Sequence, residues 1–329
     1  MSFPMQSAAA GSRRWDVVGV GDIDVDMFLQ VPVLAGRDEK VPALLLGEHP
    51  GGMIANVTCA ASALGGATAM IGLVGDDEYG AAAVAGLREF GVDTSLVTVV
   101  NGGRTFYCVI MLDSSGEKAL TAVMTDCAWP RQEDIDPDWF SNTRVVHLGG
   151  DYVDLATWVS QEAKARGALV SLDLEASTAI HGLPRLRPLL ASTDVLFMNH
   201  AGHHLFDRDP ATAAEIALAT GPQVVVVTRG ATGVLASSGE GVVRVDALPG
   251  PVIDTTGAGD SFIGAFLMQL LSGRPLDDAC RYAVAVASLS IRSIGSRTSL
   301  PDHETASGLA GETTFTLTLE ETDEPRPPS

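Results

Sequence analysis

The apolar positions of this chain fall into short blocks of two kinds, and the two kinds alternate. Trp15–Gly21 (WDVVGVG) is an almost continuous apolar run closed by glycine, the pattern of a strand buried on both faces. Asn56–Leu64 is helical in composition and stops at Gly65-Gly66, after which Thr68–Leu73 reads as the next strand. Tyr79–Phe90 has apolar residues at helical spacing and ends at Gly91. Val145–Leu148, Ala168–Leu172, Val195–Met198 and Val224–Thr228 are further β-rich runs, and helical stretches such as Ala156–Arg166 and Ala211–Ala219 separate most of them. Strand–helix alternation of this kind predicts an α/β fold, a mostly parallel sheet with helices on both faces.

Two stretches break the rhythm. Met27–Leu46 and Thr105–Met124 read as β-ribbon, the second turning at Ser114-Ser115-Gly116. Inserted ribbons either form a small lid over a site, here about residues 27–48 and 101–125, or add edge strands to the main sheet, and periodicity leaves both open. The body then spans residues 15–308. Residues 1–14 lack an apolar core and a cleavage site, so they read as a disordered leader. The acidic, proline-ending segment 309–329 reads as a mobile tail.

Composition narrows the function. The chain has 329 residues, 46% of them hydrophobic, enough for a substantial core. No apolar run approaches the ~18 residues of a membrane span, so no membrane partner is expected. Cys59, Cys108, Cys127 and Cys280 are scattered with no CxxC spacing, which argues against disulfides or zinc and for reduced thiols in a cytoplasmic protein. The formal net charge is −20, which repels nucleic acid. A phosphorylated ligand must then be held by local devices, namely backbone amides, a helix N-terminus, a few arginines or a metal.

Such a device stands in VIDTTGAGDSFIGAF, residues 252–266. A β-type run over Ala247–Ile253 leads into a Thr/Gly turn, which opens an apolar helix from Ser261 to about Leu271. Gly257, Ala258 and Gly259 let backbone N–H groups converge at the positive end of the helix dipole, an anion hole suited to a transferring γ-phosphate. Asp260 puts a carboxylate inside that hole. It either accepts the proton of an attacking hydroxyl or caps the helix. A second glycine pair, Gly51-Gly52, permits close approach of a ligand, and Asn56 at the next helix start either binds a sugar hydroxyl or is a plain N-cap.

These two segments, in this order and separation, resemble the paired signatures of the ribokinase-like carbohydrate kinases (the PfkB family), over about Trp15–Pro301. The opening GVGDIDVDMF is similar to that family's first strand and substrate turn, and its lone GxG fails the GxGxxG dinucleotide fingerprint. The resemblance implies a three-layer α/β/α sandwich with a small β lid. It also implies an ATP-dependent phosphotransfer to a small sugar-like substrate, with Mg2+ on the phosphates. By motif, Asp260 is the base, and the amides of Gly257–Asp260 hold the phosphoryl group. Asp24, Asp26, Gly51, Gly52 and Asn56 bind the substrate. Asn199, Thr228, Gly230, Ala231 and Gly233 join Gly257 and Gly259 at ATP, with Ala283–Ser290 as the helix on the adenine. Asp254, Thr256, Ser290, Ser293 and Gly295 stand where the family holds a monovalent cation, K+. Lid ribbons of such folds pair between subunits, so a homodimer is expected.

Departures from the pattern shape the alternatives. The family's Asn-x-x-Glu motif reads Asn199-His200-Ala201-Gly202 here, without the glutamate that organises magnesium. Met53 replaces a lysine of the ribose-type signature. His200, His203 and His204 are expected to be solvated or capping rather than zinc ligands, and Arg104 is either a contact to an anionic substituent or a surface residue. A nucleoside kinase, with Phe28, Phe106 or Tyr107 as a stacking platform, and a non-catalytic sensor on the same scaffold are the competing readings.

Overall fold

In a computed structural model, residues 13–113, 118–312 and 317–320 are described. Most of the expected leader, the Ser114-Ser115-Gly116 turn and the last nine residues lie outside them. In chain order the elements are β1 (Trp15–Val20), β2 (Asp24–Gln30), β3 (Leu44–Gly51), α1 (Met53–Ala63), β4 (Thr68–Gly75), α2 (Glu78–Glu89), β5 (Val97–Val100), β6 (Phe106–Leu112) and β7 (Lys118–Val123). Then follow β8 (Thr143–Gly149), α3 (Val153–Ala165), β9 (Leu169–Leu174), α4 (Ala176–Ala179), α5 (Leu183–Ala191), β10 (Val195–Met198), α6 (Pro210–Leu218) and β11 (Val224–Thr228). The chain continues through β12 (Val234–Ser238), β13 (Gly241–Val245), α7 (Ala258–Leu271), α8 (Leu276–Ser290), α9 (His303–Glu312) and β14 (Leu317–Glu320).

Ten strands form one sheet in the order β14-β13-β12-β11-β10-β9-β8-β1-β4-β5. From β11 to β5 the neighbours are parallel, and β12, β13 and β14 continue the sheet antiparallel. Both faces are covered, which is why the strands read as unbroken apolar runs. Val17, Val145, Val195 and Val224 pack against α1, α7, α8 and α9, whereas Val18, Val146, Leu196 and Val225 pack against α3, α5 and α6. The result is the expected three-layer α/β/α sandwich.

The two ribbons are not edge strands of that sheet. They build a separate four-stranded sheet, β3-β2-β6-β7, in which the hairpins β2–β3 and β6–β7 join through the parallel pair β2–β6. Among β2 and β6 residues, Asp24 and Asp26 share a face with Phe106 and Cys108, and Met27 and Tyr107 lie on the other.

Two local expectations fail. Ala247–Ile253 is not a strand, because Pro249 and Pro251 cannot donate to a ladder and Val252 and Ile253 are both 61% exposed. Ordered structure also continues past residue 308, since α9 reaches Glu312 and β14 pairs with β13. The four cysteines are all buried and unpaired with one another. Among the described residues no helix is long and apolar enough to cross a membrane.

Candidate active site

Strands β1, β8, β9, β10 and β11 end at one edge of the sheet, and at or just past their carboxyl ends stand Asp22, Asp151, Asp173 with Glu175, Asn199 and Thr228. The chain leaves β1 toward β4 on one side while β8 lies on the other, so this edge contains the switch point where open α/β sheets hold ligands.

The start of α7 faces the same edge. Gly257 adopts φ 76°, and a Cβ there would stand 2.6 Å from the Ser296 Cβ, so only glycine fits. A Cβ on Gly259 would meet nothing within 4 Å, which leaves the amides of the first turn open on that side. The helix begins at Ala258, three residues earlier than its composition suggests, and Asp260 therefore lies inside its first turn. The Asp260 side chain does not cap the helix; it accepts a hydrogen bond from Asn56 Nδ2 at 2.8 Å. Burial pushes its carboxyl up to about 8, with Glu175 and Asp22 adding to the rise and Asn56 and Arg297 opposing it.

Helix packing makes that contact. A Cβ on Gly264 would stand 2.8 Å from both the Ala60 Cβ and the Val57 carbonyl oxygen, so α7 lies directly against α1. Asn56 on α1 is thereby set opposite Asp260 on α7. It does not act as a plain cap. Its Nδ2 faces Asp260, and its Oδ1 accepts from Ser296 Oγ at 3.0 Å and Arg297 Nε at 2.7 Å.

The turn at Gly51-Gly52, expected to meet the substrate, is equally tight. Gly52 has φ 95° and a Cβ there would stand 2.6 Å from the Asp22 carbonyl oxygen. A Cβ on Gly51 would stand 2.3 Å from Asp24 Oδ1 and 2.6 Å from Asp26 Oδ2. The Asp22 carboxylate accepts from the Met53 and Ile54 amides at 2.8 and 3.2 Å, supplying the cap that Gly52 cannot. Asp24 and Asp26 are buried at 3% and 6% exposure. Burial raises Asp24 well above the usual carboxylate range, with Asp26 and Asp22 adding, and lifts Asp26 to about 6 against the pull of Arg297. Asp24 Oδ2 lies 3.6 Å from the Cys108 thiol, and Oδ1 has no protein donor.

At the loops expected to hold the nucleotide, Asn199 Oδ1 accepts from the Ala201 and Gly202 amides, and its Nδ2 donates to Glu175 Oε1 at 3.1 Å. A Cβ on Gly202 would stand 2.0 Å from the Leu174 carbonyl oxygen, so no side chain fits where the glutamate was expected. Thr228 ends β11, and Gly230 and Ala231 are exposed in the turn that follows it, closed by Gly233 at φ 85°. His203 is buried with its ring nitrogens each 3.2 Å from a backbone carbonyl, of Asn199 and of Arg208, while His200 and His204 are exposed.

The five residues expected at a monovalent cation come only partly together. Asp254 Oδ1 accepts from the amide and hydroxyl of Thr256, and Oδ2 from the Gly295 amide. Ser290 instead donates to the Ala287 carbonyl, and Ser293 pairs with Ser299. From the lid, Lys118 Nζ reaches Thr256 Oγ1 at 3.1 Å.

Arg104 lines a cleft of about 520 Å3 with Met27, Tyr79 and Tyr107, on the lid face opposite Asp24 and Asp26. None of the three expected aromatics offers an open ring to the site: Phe28 is fully buried edge-on to His49, Phe106 is buried, and Tyr107 packs on Tyr79. Trp129 sits there instead. It packs against Phe106 and Cys108, lies 3.5 Å from where a Cβ of Gly21 would be, and pairs with Tyr152 at a 5.0 Å centroid distance.

The chain matches the profile of the pfkB family carbohydrate kinases over residues 16–303. It is 30% identical to a ribokinase of Bacillus subtilis, over 86% of this chain and 94% of that protein. It is 26% identical to a nucleoside kinase of Methanothermobacter thermautotrophicus, over 88% of this chain and 94% of that one. In structure it is similar to the Arabidopsis thaliana ribokinase complexed with ribose and ATP, with a TM-score of 0.79, 26% identity and coverage of 91% of this chain and 99% of that one. A family match over most of the chain and a ribokinase-like fold place it in the pfkB family of carbohydrate kinases, as a phosphotransferase with an alcohol group as acceptor.

Proposed function

We propose that the protein transfers the γ-phosphoryl group of ATP to a hydroxyl of a neutral sugar, with Asp260 as the base. The observation that carries this reading is the junction of the two signature segments, where Asp260 lies at the amide-rich start of α7 and is bonded by Asn56 to the helix behind the Gly51-Gly52 turn. A carboxylate raised to about 8 is well matched to accepting a proton near neutral pH. The transferring group would lie at the amides of Gly257–Asp260, where positioning and electrostatics supply most of the catalysis.

The acceptor is read from its pocket. Buried carboxylates without donors are costly, and hydroxyl groups supply donors without adding charge. Asp24, whose Oδ1 is buried without a donor, therefore favours a polyol over a sugar acid, with the buried Asp26 beside it. A nucleoside is the second reading, favoured by the Trp129–Tyr152 pair, since its sugar offers the same hydroxyls and its base a ring to stack.

For magnesium, Asp173 and Glu175 fit. Burial holds Asp173 well above the usual range, with Glu175, Asp260 and Asp151 adding, and burial raises Glu175 too, with Asp151 and Asp22 adding, strain that a divalent cation would relieve, and both offer the hard oxygens Mg2+ prefers. Bound there with ATP, the ion would supply charge neutralisation on the phosphates. A homodimer through the lid follows from its exposed Leu44, Leu45 and Leu46.

The test is ADP release from Mg-ATP with ribose, fructose and adenosine, for the native chain and Asp260→Asn. Loss of at least ~10²-fold in kcat with ATP binding retained is expected. Retention of more than about a tenth of kcat removes Asp260 from the chemistry. Ligand-shifted melting without any Asp260-dependent turnover would favour the sensor reading.

A further inference from the structure

Arg297 has no role in the signatures, yet it lies at their junction. It follows α8, is only 6% exposed, and its guanidinium spans two elements of the site. Nε donates to Asn56 Oδ1 at 2.7 Å, and Nη2 donates to the carbonyl oxygen of Gly51, the residue that ends β3 and opens the substrate turn. Ser296 Oγ adds a second donor to the same Asn56 oxygen at 3.0 Å.

An amide side chain can present either end, and the two ends differ in sign. With two donors on Oδ1, only Nδ2 is left to face Asp260, which it meets at 2.8 Å. Turned the other way, Asn56 would set a carbonyl oxygen against a carboxylate and leave two buried donors unpaired. Arg297 therefore decides which end of Asn56 the base sees. The same guanidinium holds Gly51, whose backbone lies against Asp24 and Asp26. Arginine suits this task because its planar fork donates to two acceptors in fixed geometry, which lysine cannot.

We propose that Arg297 is a positioning residue that locks the Asn56 amide onto Asp260 and couples that lock to the substrate turn at Gly51. The inference rests on Asp260 being the base, so the two must be tested apart.

Arg297→Met and Arg297→Lys are assayed with Mg-ATP and whichever of ribose, fructose or adenosine turns over fastest, beside Asp260→Asn. Arg297→Met is expected to lower kcat by about 10–100-fold, the usual cost of losing a supporting partner, with KM for ATP within about 3-fold. Arg297→Lys is expected to recover part of that loss, and guanidinium added to Arg297→Ala to restore part of kcat. In the cycle of Arg297→Met with Asn56→Ala the losses are expected to be strongly non-additive, since both break one lock.

A kcat for Arg297→Met within about 3-fold of native, or fully additive losses in the cycle, overturns the proposal while leaving Asp260 in place. If only Asp260→Asn stays active, the base assignment fails instead. Should Arg297→Met not fold, Arg297→Lys and Ser296→Ala carry the same cycle with Asn56→Ala, under the same criterion. Independently of turnover, the Asn56 side-chain amide resonance, assigned by its loss in Asn56→Ala, is expected to shift in Arg297→Lys. An unmoved resonance counts against the lock.

Discussion

Asp260 makes a pH prediction at the scale of one residue. A base must be ionised in the free enzyme, so a carboxyl at about 8 sets the acid limb of kcat/KM. The rate is expected to fall roughly tenfold per pH unit below about 8, and a profile flat from pH 6 to 8 would mean that Asp260 is already ionised below pH 6 in the free enzyme. The metal reading is tested at Glu175. Glu175→Gln removes the charge but keeps the bond to Asn199, and it is expected to raise the Mg2+ needed for half-maximal rate about 10–100-fold. An unchanged Mg2+ requirement would exclude Glu175. Legibility was uneven here. Asp24, Asp26, Asp254 and Asp260 stand in recognisable motifs, whereas Asp173, Glu175, Lys118 and Arg297 do not. What the latter share is position rather than pattern: two at a strand end, one on a lid strand and one in an irregular segment. The only hints were a charged D-L-E closing an apolar run and a lone arginine in the small-residue run SIGSRTS.

Elements explain why the site comes together at all. Gly264 lets α7 rest on α1, and this contact sets Asp260 opposite Asn56. Gly264→Val inserts three carbons where even a Cβ stands 2.8 Å from its neighbours. It is expected to cost about 1–3 kcal/mol and several degrees of Tm, and to lower kcat in the molecules that remain folded. A normal kcat would show that the helix contact does not set the geometry. Helix α7 was legible as an apolar run, but its partner was not, because small residues in a helix permit close packing without naming the surface they approach. The lid shows the same limit. Its ribbons were legible, but only the parallel pair β2–β6 reveals a second sheet instead of edge strands. Lys118 on β7 touches Thr256 beside the anion hole, so Lys118→Ala is expected to raise ATP hydrolysis relative to sugar phosphorylation as closure loosens. An unchanged ratio would leave the contact without a role. Leu45→Asp is expected to convert a dimer into a monomer by light scattering, if the lid is the interface.

Across the whole molecule, charge and burial combine into an unusual stability profile. The chain carries a net −20, and six carboxyls gathered around the site, Asp22, Asp24, Asp26, Asp173, Glu175 and Asp260, are all raised, chiefly by burial. A carboxyl whose folded value exceeds its unfolded one binds its proton more tightly in the folded state. Stability is then lost as pH rises from the unfolded value through the folded one, and is regained on acidification. For Asp260 that window runs from 3.8 to about 8. His147 acts oppositely, because burial lowers it from 6.5 to about 3 and its unfolded form gains a proton below 6.5. The lowered carboxyls Asp77, Asp93, Asp134, Asp209 and Asp302 cost stability only below their unfolded value of 3.8. Between pH 8 and 6.5 the raised Asp260 therefore acts without opposition from His147. Thermal melts in EDTA at constant ionic strength are expected to show Tm rising from pH 8 to pH 6.5. Asp260→Asn is expected to melt above native at pH 8, with the gap closing toward pH 4, since it removes a charge that must otherwise be buried. A Tm that falls from pH 8 to 6.5 would mean that Asp260 keeps its charge in the folded protein throughout this range, and the acid limb of kcat/KM expected below about pH 8 would lose its basis with it.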